Sequence, residues 1–410
     1  MKKILYILSV AVLVVSISSC RNDDDFTESI FDTTIPAVDP NSATAPFDQW
    51  LYDNFVVPYN TEIQYKFNLP ASKLEYQLAP ADYKKSQLLA HFIKYLFYDV
   101  YTKFAGDEFM KQYGPRIFHF IGSAAFSPTT GTEELGYASA GVKITLIKVN
   151  EMKLWTPTNQ YSDADTDVLN EYQFHTMHHE FSHILHQTKS YDVEFGQITP
   201  NDYDGRDWQK RDSVLTHQLG YITHYGSSAI YEDFVETLSC TITNNDIRWM
   251  NLIIDACANG GVKEGDRERI YDLIDSLEIE GLDDPTKPWN KFSIKKEIAV
   301  SDETEEETER YVPDFHVADA KDKASENDLT VKYEDVKTFT SFRDYLDNWV
   351  VADNNTSVSG MNAILNKIEK ARKWYTEKWG LHLFEIRHEV RVRQKNINTF
   401  VRDNVTIYDL

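Results

Sequence analysis

Three different rhythms of apolar and polar positions run along this chain. Behind Lys2 and Lys3, Ile4 to Ile17 form a mostly apolar run of 14 residues. A comfortable membrane-spanning helix needs about 20, so the run predicts a secretion signal. From Lys84 to Phe104 the apolar residues Leu88, Leu89, Phe92, Ile93, Tyr95, Leu96 and Val100 recur at helical spacing and predict a long, largely buried helix. Residues 116–121 and 142–149 are short and rich in Ile, Phe and Val. In the second, polar Lys143, Thr145 and Lys148 interleave with Ile144, Leu146 and Val149, so both read as strands. Its position suggests that 142–149 is a sheet edge along which an extended peptide could add. Helical periodicity returns over about 167–186, 228–241, 246–258, 264–277, 361–379 and 381–400. The expected class is therefore α+β, a small sheet followed by a mainly α C-terminal half.

The pattern fails in two places. Residues 21–46 are polar, with Pro36, Pro40 and Pro46, and read as a tether ahead of a body that starts near Phe47. The acidic stretch of about 296–345, where Glu303, Glu305, Glu306, Glu307 and Glu309 crowd together, reads as an insertion within the 47–410 domain. No internal repeat of 20–50 residues is evident.

Composition narrows the chemistry. With 42 Lys+Arg against 65 Asp+Glu the chain carries a formal charge of −23, which argues against nucleic acid or an anionic membrane face as partner. Three cysteines cannot build a cysteine-rich zinc ribbon, so any metal ligands should be His, Asp or Glu. The first cysteine has another reading. Ile17-Ser18-Ser19-Cys20 resembles the lipobox of bacterial lipoproteins, which implies a signal peptide over 1–19 and a lipidated Cys20 opening the 20–46 tether. Arg21-Asn22-Asp23-Asp24-Asp25 looks like the acidic tag of surface-exposed outer-membrane lipoproteins. Membrane contact is then through the lipid alone. Cys240 and Cys257 remain, either as a disulfide or as two small buried residues.

Five of the 12 histidines, His175, His178, His179, His183 and His186, crowd into one short helical stretch. Within it, His179-Glu180-Phe181-Ser182-His183 is an HExxH motif. Four residues are a little over one helical turn, so both imidazoles leave the same face and can share a Zn²⁺, with Glu180 beside it as a general base. His175, His178 and His186 read as structural histidines. A metzincin would continue HExxHxxGxxH, but His186 and Lys189 occupy those positions. Downstream, Tyr231-Glu232-Asp233-Phe234-Val235-Glu236 places Glu232 and Glu236 one turn apart. The arrangement resembles the gluzincins. That resemblance implies Glu232 as third zinc ligand and Glu236 as hydrogen-bond partner of a ligating histidine, with Asp233 competing for the latter role. Tyr225 lies seven residues before Glu232, the interval at which the lethal-factor type of gluzincin aims a tyrosine at the metal. By that resemblance Tyr225 would stabilise the oxyanion or protonate the leaving group.

The segment from Gly220 to Ser228, the run HEFSHILHQ from His179, and Trp374 to Gly380 together resemble the substrate import-associated zinc metallohydrolase lipoproteins. The similarity covers about 47–290 and 355–400. It implies a gluzincin-like domain, one Zn²⁺ per chain, a peptide or protein substrate, and a place beside an outer-membrane nutrient importer. A non-catalytic zinc-containing capture lipoprotein and a zinc hydrolase of non-peptide amides or esters are the other readings of the same residues.

Overall fold

The computed structural model describes residues 38–67, 77–126, 131, 133–134, 136–139, 143–256, 292–300, 307–315 and 359–409. The signal peptide, Cys20, most of the tether, the helix expected at 264–277 and Cys257 lie outside them. The chain divides into two units between Ala45 and Pro46, and the sheet, the long helices and the candidate site all belong to the C-terminal one.

The first long helical pattern forms Tyr83–Ile93 (α1), a π turn at Lys94–Tyr98 and Asp99–Ala105 (α2). Asp82 caps its start by accepting from the Lys85 amide at 2.9 Å. Gly106, at φ +85°, ends it. The apolar stripe read from the sequence is the buried one: Leu88, Leu89, Phe92, Ile93, Leu96 and Val100 have almost no exposure.

A four-stranded sheet lies beside this helix. Glu62–Gln64 (β1), Ile117–Phe120 (β2) and Lys143–Leu146 (β4) run parallel, and Gly136–Ser139 (β3) pairs antiparallel with β4, giving the order β1-β2-β4-β3. Phe118 pairs with Ile144 and Phe120 with Leu146, and consecutive residues on both strands are buried, as for strands covered on both faces. The strand expected at 142–149 is therefore central rather than an edge. Among the described residues the edge on that side is β3, whose Gly-Tyr-Ala-Ser sequence carries little strand signal.

Helices make up most of the rest. Asp163–Leu169 (α3) opens on a capping box between Ser162 and Asp165, passes through a π turn at Asn170–Phe174 and continues as His175–Thr188 (α4). Ser213–Gln218 (α5), Ile230–Thr243 (α6) and Asp246–Ala256 (α7) follow. Part of the acidic stretch forms a hairpin, Phe292–Val300 (β5) with Glu307–Phe315 (β6). Ser359–Trp379 (α8), Leu383–Lys395 (α9) and Ile397–Asn404 (α10) close the chain, so the single helix expected at 381–400 is divided at Asn396. The molecule is α+β and mostly helical.

Helices α4 and α6 pack face to face, and the closing helices hold α6 in place. Arg387, buried on α9, donates to the carbonyl oxygens of Thr241 and Asn244 at the C-terminus of α6. A cation there satisfies orphan carbonyls and the negative end of the helix dipole. Tyr101 ties α4 to both neighbours: its hydroxyl lies 3.0 Å from His178 Nδ1 and 3.2 Å from the Tyr375 hydroxyl on α8. Below the histidines, Phe234 stacks on Tyr191 and meets Trp374 edge-on.

Candidate metal centre

Two matched ladders face one another across the α4–α6 contact. His175, His179 and His183 leave α4 at intervals of four residues, and Glu232, Glu236 and Cys240 leave α6 at the same interval. Helix geometry puts each set on one stripe.

At the outer rungs three atoms converge. His179 Nε2 and His183 Nε2 are 3.2 Å apart, and Glu232 Oε2 lies 3.3 Å from the first and 3.2 Å from the second. Donors about 2.0–2.1 Å from one tetrahedral zinc are spaced by about 3.3 Å, so the three atoms already form one face of such a tetrahedron. The donor set, two imidazoles and a carboxylate, suits zinc, and it leaves a fourth position open.

The other ring nitrogens fix how these imidazoles present their lone pairs. His179 Nδ1–H donates to Glu236 Oε1 at 2.5 Å, and Thr223 Oγ1 donates to Glu236 Oε2 at 2.6 Å. With its Nε2 turned to the cluster, His183 donates through Nδ1 to His186 Nε2 at 3.0 Å. Burial, and then the neighbouring His183, push His186 down to about 4, so it stays neutral and can accept. His186 is thus not a bystander as the sequence suggests. It sits one turn beyond His183 and orients it.

Charge follows the same plan. Burial opposes ionisation of Glu232, but hydrogen bonds from His179 and His183 outweigh it and pull the carboxyl down to about 2. Glu236 is held well below the usual carboxylate range, because His175 and His179 overcome its burial. Without a metal the balance is struck by protonated imidazole, since the two carboxylates hold His179 well above the ordinary histidine range despite its burial, and a divalent cation bound there would take the place of those protons.

Glu180 is buried, and its carboxylate lies within 4.8 Å of the His179 and His183 ligand atoms. Tyr225 approaches from the open side, 38% exposed, with its ring centroid 5.8 Å from that of His179 and Trp208 edge-on at 5.1 Å. Burial, then the charge of the nearby Glu232 carboxylate, keep its phenol protonated far above the ordinary tyrosine range.

Residues 40–383 match the profile of a family described as "Putative zinc-binding metallo-peptidase". The chain belongs to this family. A crystal structure described as that of a putative zinc-binding metallo-peptidase from Bacteroides caccae shares its fold, with a TM-score of 0.54 at 23% identity over 93% of this chain and 100% of the other. No curated protein matches the chain.

In this member of the family the structure gathers His179, Glu180, His183, Tyr225, Glu232 and Glu236 at one place, while Asp233 turns away. Asp233 instead pairs with Lys367 at 2.7 Å and accepts from the Tyr203 hydroxyl at 2.7 Å, which leaves the contact with His179 to Glu236. Cys240 is a buried free thiol. The sequence reading takes His175 and His186 as structural histidines and does not single out Thr223. The first two carry a signal that could have found them, the repeat of histidine at every fourth position of α4 and at one turn past His183.

Proposed function

We propose that this chain is a gluzincin-type zinc metallopeptidase in which His179, His183 and Glu232 hold one catalytic Zn²⁺. The observation that carries the reading is the triangle of 3.2, 3.2 and 3.3 Å among their ligand atoms, with the Glu180 carboxylate beside it. When bound, zinc acidifies water and polarises a substrate carbonyl. Glu180 accepts the proton of the attacking water and passes it to the leaving amine. Tyr225, kept protonated, donates to the oxygen on which negative charge develops. Glu236 and His186 hold the two imidazoles in one tautomer and orientation. An extended peptide adds along β3, the edge strand next to β4, through main-chain hydrogen bonds.

By the same proposal the enzyme works at the outer membrane. Cys20 carries the lipid, the acidic residues after it mark it for the cell surface, and its substrates are peptides or proteins handled by a neighbouring nutrient importer. Among the described residues no helix is long and apolar enough to cross a membrane. The lipid supplies the attachment, and Cys20→Ser should release the protein from the membrane fraction.

A peptide-library digest with wild type and Glu180→Gln tests the catalytic reading. Wild type should cleave with a definite preference, and the variant should keep its zinc yet lose about 10²–10⁴-fold in rate, the usual share of a general base. Zinc-loaded wild type that cleaves no peptide would overturn the peptidase reading in favour of a capture lipoprotein or a non-peptide hydrolase.

A further inference from the structure

One turn deeper along the same ladders, His175, Glu236 and Cys240 form a second convergent set. His175 Nε2 lies 3.1 Å from Glu236 Oε1 and 3.6 Å from Cys240 Sγ, and Cys240 Sγ lies 3.9 Å from Glu236 Oε2. Glu236 and Cys240 are almost fully buried, while the His175 side chain retains 17% exposure and gives a way in. We propose that these three residues form a second, thiolate-bearing site for a borderline-soft divalent cation such as Zn²⁺ or Cd²⁺, separate from the outer donor set.

The argument rests on spacing and on lone pairs. Around one tetrahedral zinc, nitrogen and oxygen donors are about 3.3 Å apart and sulfur stands about 3.5 Å from either, given metal–donor lengths of about 2.0–2.1 and 2.3 Å. The observed separations need only small side-chain adjustments to match. An ionised carboxylate offers about four lone-pair sites. His179 takes one on Oε1 of Glu236 and Thr223 takes one on Oε2, so each oxygen keeps a lone pair that faces His175 and Cys240. Ser239 supplies a further oxygen: its hydroxyl hydrogen goes to the Val235 carbonyl at 2.9 Å, and its oxygen lies 3.0 Å from His175 Nε2. A thiol is a poor hydrogen-bond partner for a buried carboxylate, but a thiolate is a strong ligand. One thiolate and one carboxylate neutralise a dication, which a buried site requires. The sulfur and nitrogen donors disfavour Mg²⁺ and Ca²⁺. Loading displaces the thiol proton and any proton held between His175 and Glu236 into solvent.

Cobalt is the probe, because a cobalt–thiolate bond gives a charge-transfer absorption that histidine and carboxylate ligands do not. Titration of the full chain with Co²⁺ should fill two sites, with the charge-transfer band rising on one of them. Cys240→Ser should lose that band and one equivalent while keeping the other, and His183→Ala should keep the band. Wild type that saturates without the band, or a band that survives in Cys240→Ser, would overturn the proposal. Should Cys240→Ser fail to fold, wild type decides alone: Cd²⁺ should slow alkylation of Cys240, mapped by mass spectrometry, at least tenfold, and an unchanged rate would refute the site. A band-free equivalent missing from wild type, or one that survives in His183→Ala, would instead count against the outer site at His179, His183 and Glu232, so the two readings fail separately.

Discussion

A ligating imidazole is useful only if its lone pair points the right way, and here each of the two outer histidines is steered by a different partner. His179 leans on the Glu236 carboxylate and His183 on the neutral ring of His186. Replacing His186 by Phe fills the same space against Tyr191 and Phe234, whose rings lie 5.5 and 6.2 Å away, and removes only the acceptor. Zinc affinity measured by chelator competition should then fall about 10–100-fold, the usual effect of losing an outer partner of a ligand, and Gln at the same position should restore part of it. Unchanged affinity in His186→Phe would show that His183 needs no such support. The HExxH spacing makes His179, Glu180 and His183 legible from the chain alone, because a four-residue repeat on a helix has one geometric outcome. The position of His186 one turn past His183 is equally legible, but its part as acceptor is not. It depends on which ring nitrogen holds the proton, and nothing in a spacing records that.

At the scale of elements, the site is a product of how α8 and the loop before α6 clamp α6. Lys367 of α8 is wholly buried, pairs with Asp233, donates to the Gly220 carbonyl at 2.8 Å and lies 4.0 Å over the Tyr221 ring. Gly220, at φ +88°, brings that carbonyl in: a Cβ there would stand 2.6 Å from Ala363 Cβ, and its backbone conformation suits glycine. Burial drives both charges of the pair towards neutrality, raising the Asp233 carboxyl and lowering the Lys367 ammonium, so each depends on the other. Lys367→Met should therefore cost about 3–5 kcal/mol, since it leaves the Asp233 carboxylate buried without a cation, and Lys367→Met with Asp233→Leu should recover much of that loss. Denaturation midpoints of the single and double variants measure it; a double variant no better than the single would refute the account.

The helices themselves were readable because their apolar stripes are long and periodic, as in α1, α4 and α6. The sheet edge was not. Residues 142–149 have the Ile- and Val-rich composition of a strand, yet composition cannot tell a central strand from an edge, and β3, which takes the edge, lacks β-branched residues altogether. The break between α9 and α10 at Asn396 was equally hidden, since both sides keep a helical period.

The charge of the whole molecule and its buried histidines pull in opposite directions as pH falls. A formal charge of −23 means that mild acid relieves self-repulsion and should favour the compact state. Two histidines remote from the metal centre oppose that. His91, buried against the Trp50 ring at 3.9 Å, is pushed down to about 4 by burial and then by Lys94. His119 on β2, fully buried and with neither ring nitrogen hydrogen-bonded, is pushed down to about 4 by burial and then by Lys143. Both folded values lie below the unfolded value of about 6.5. Above about pH 6.5 both states are neutral and nothing is lost. Between about 6.5 and 4 the unfolded chain takes up protons that the folded one refuses, so stability falls with falling pH and levels off once the folded rings protonate. For His91 the loss at pH 5 should be about 2 kcal/mol. Unfolding of wild type and His91→Gln, compared at pH 7 and pH 5, separates the effects, because both proteins share the same relief of repulsion. Wild type should lose about 2 kcal/mol more than the variant between the two pH values; equal losses would mean that His91 does not contribute to the acid response.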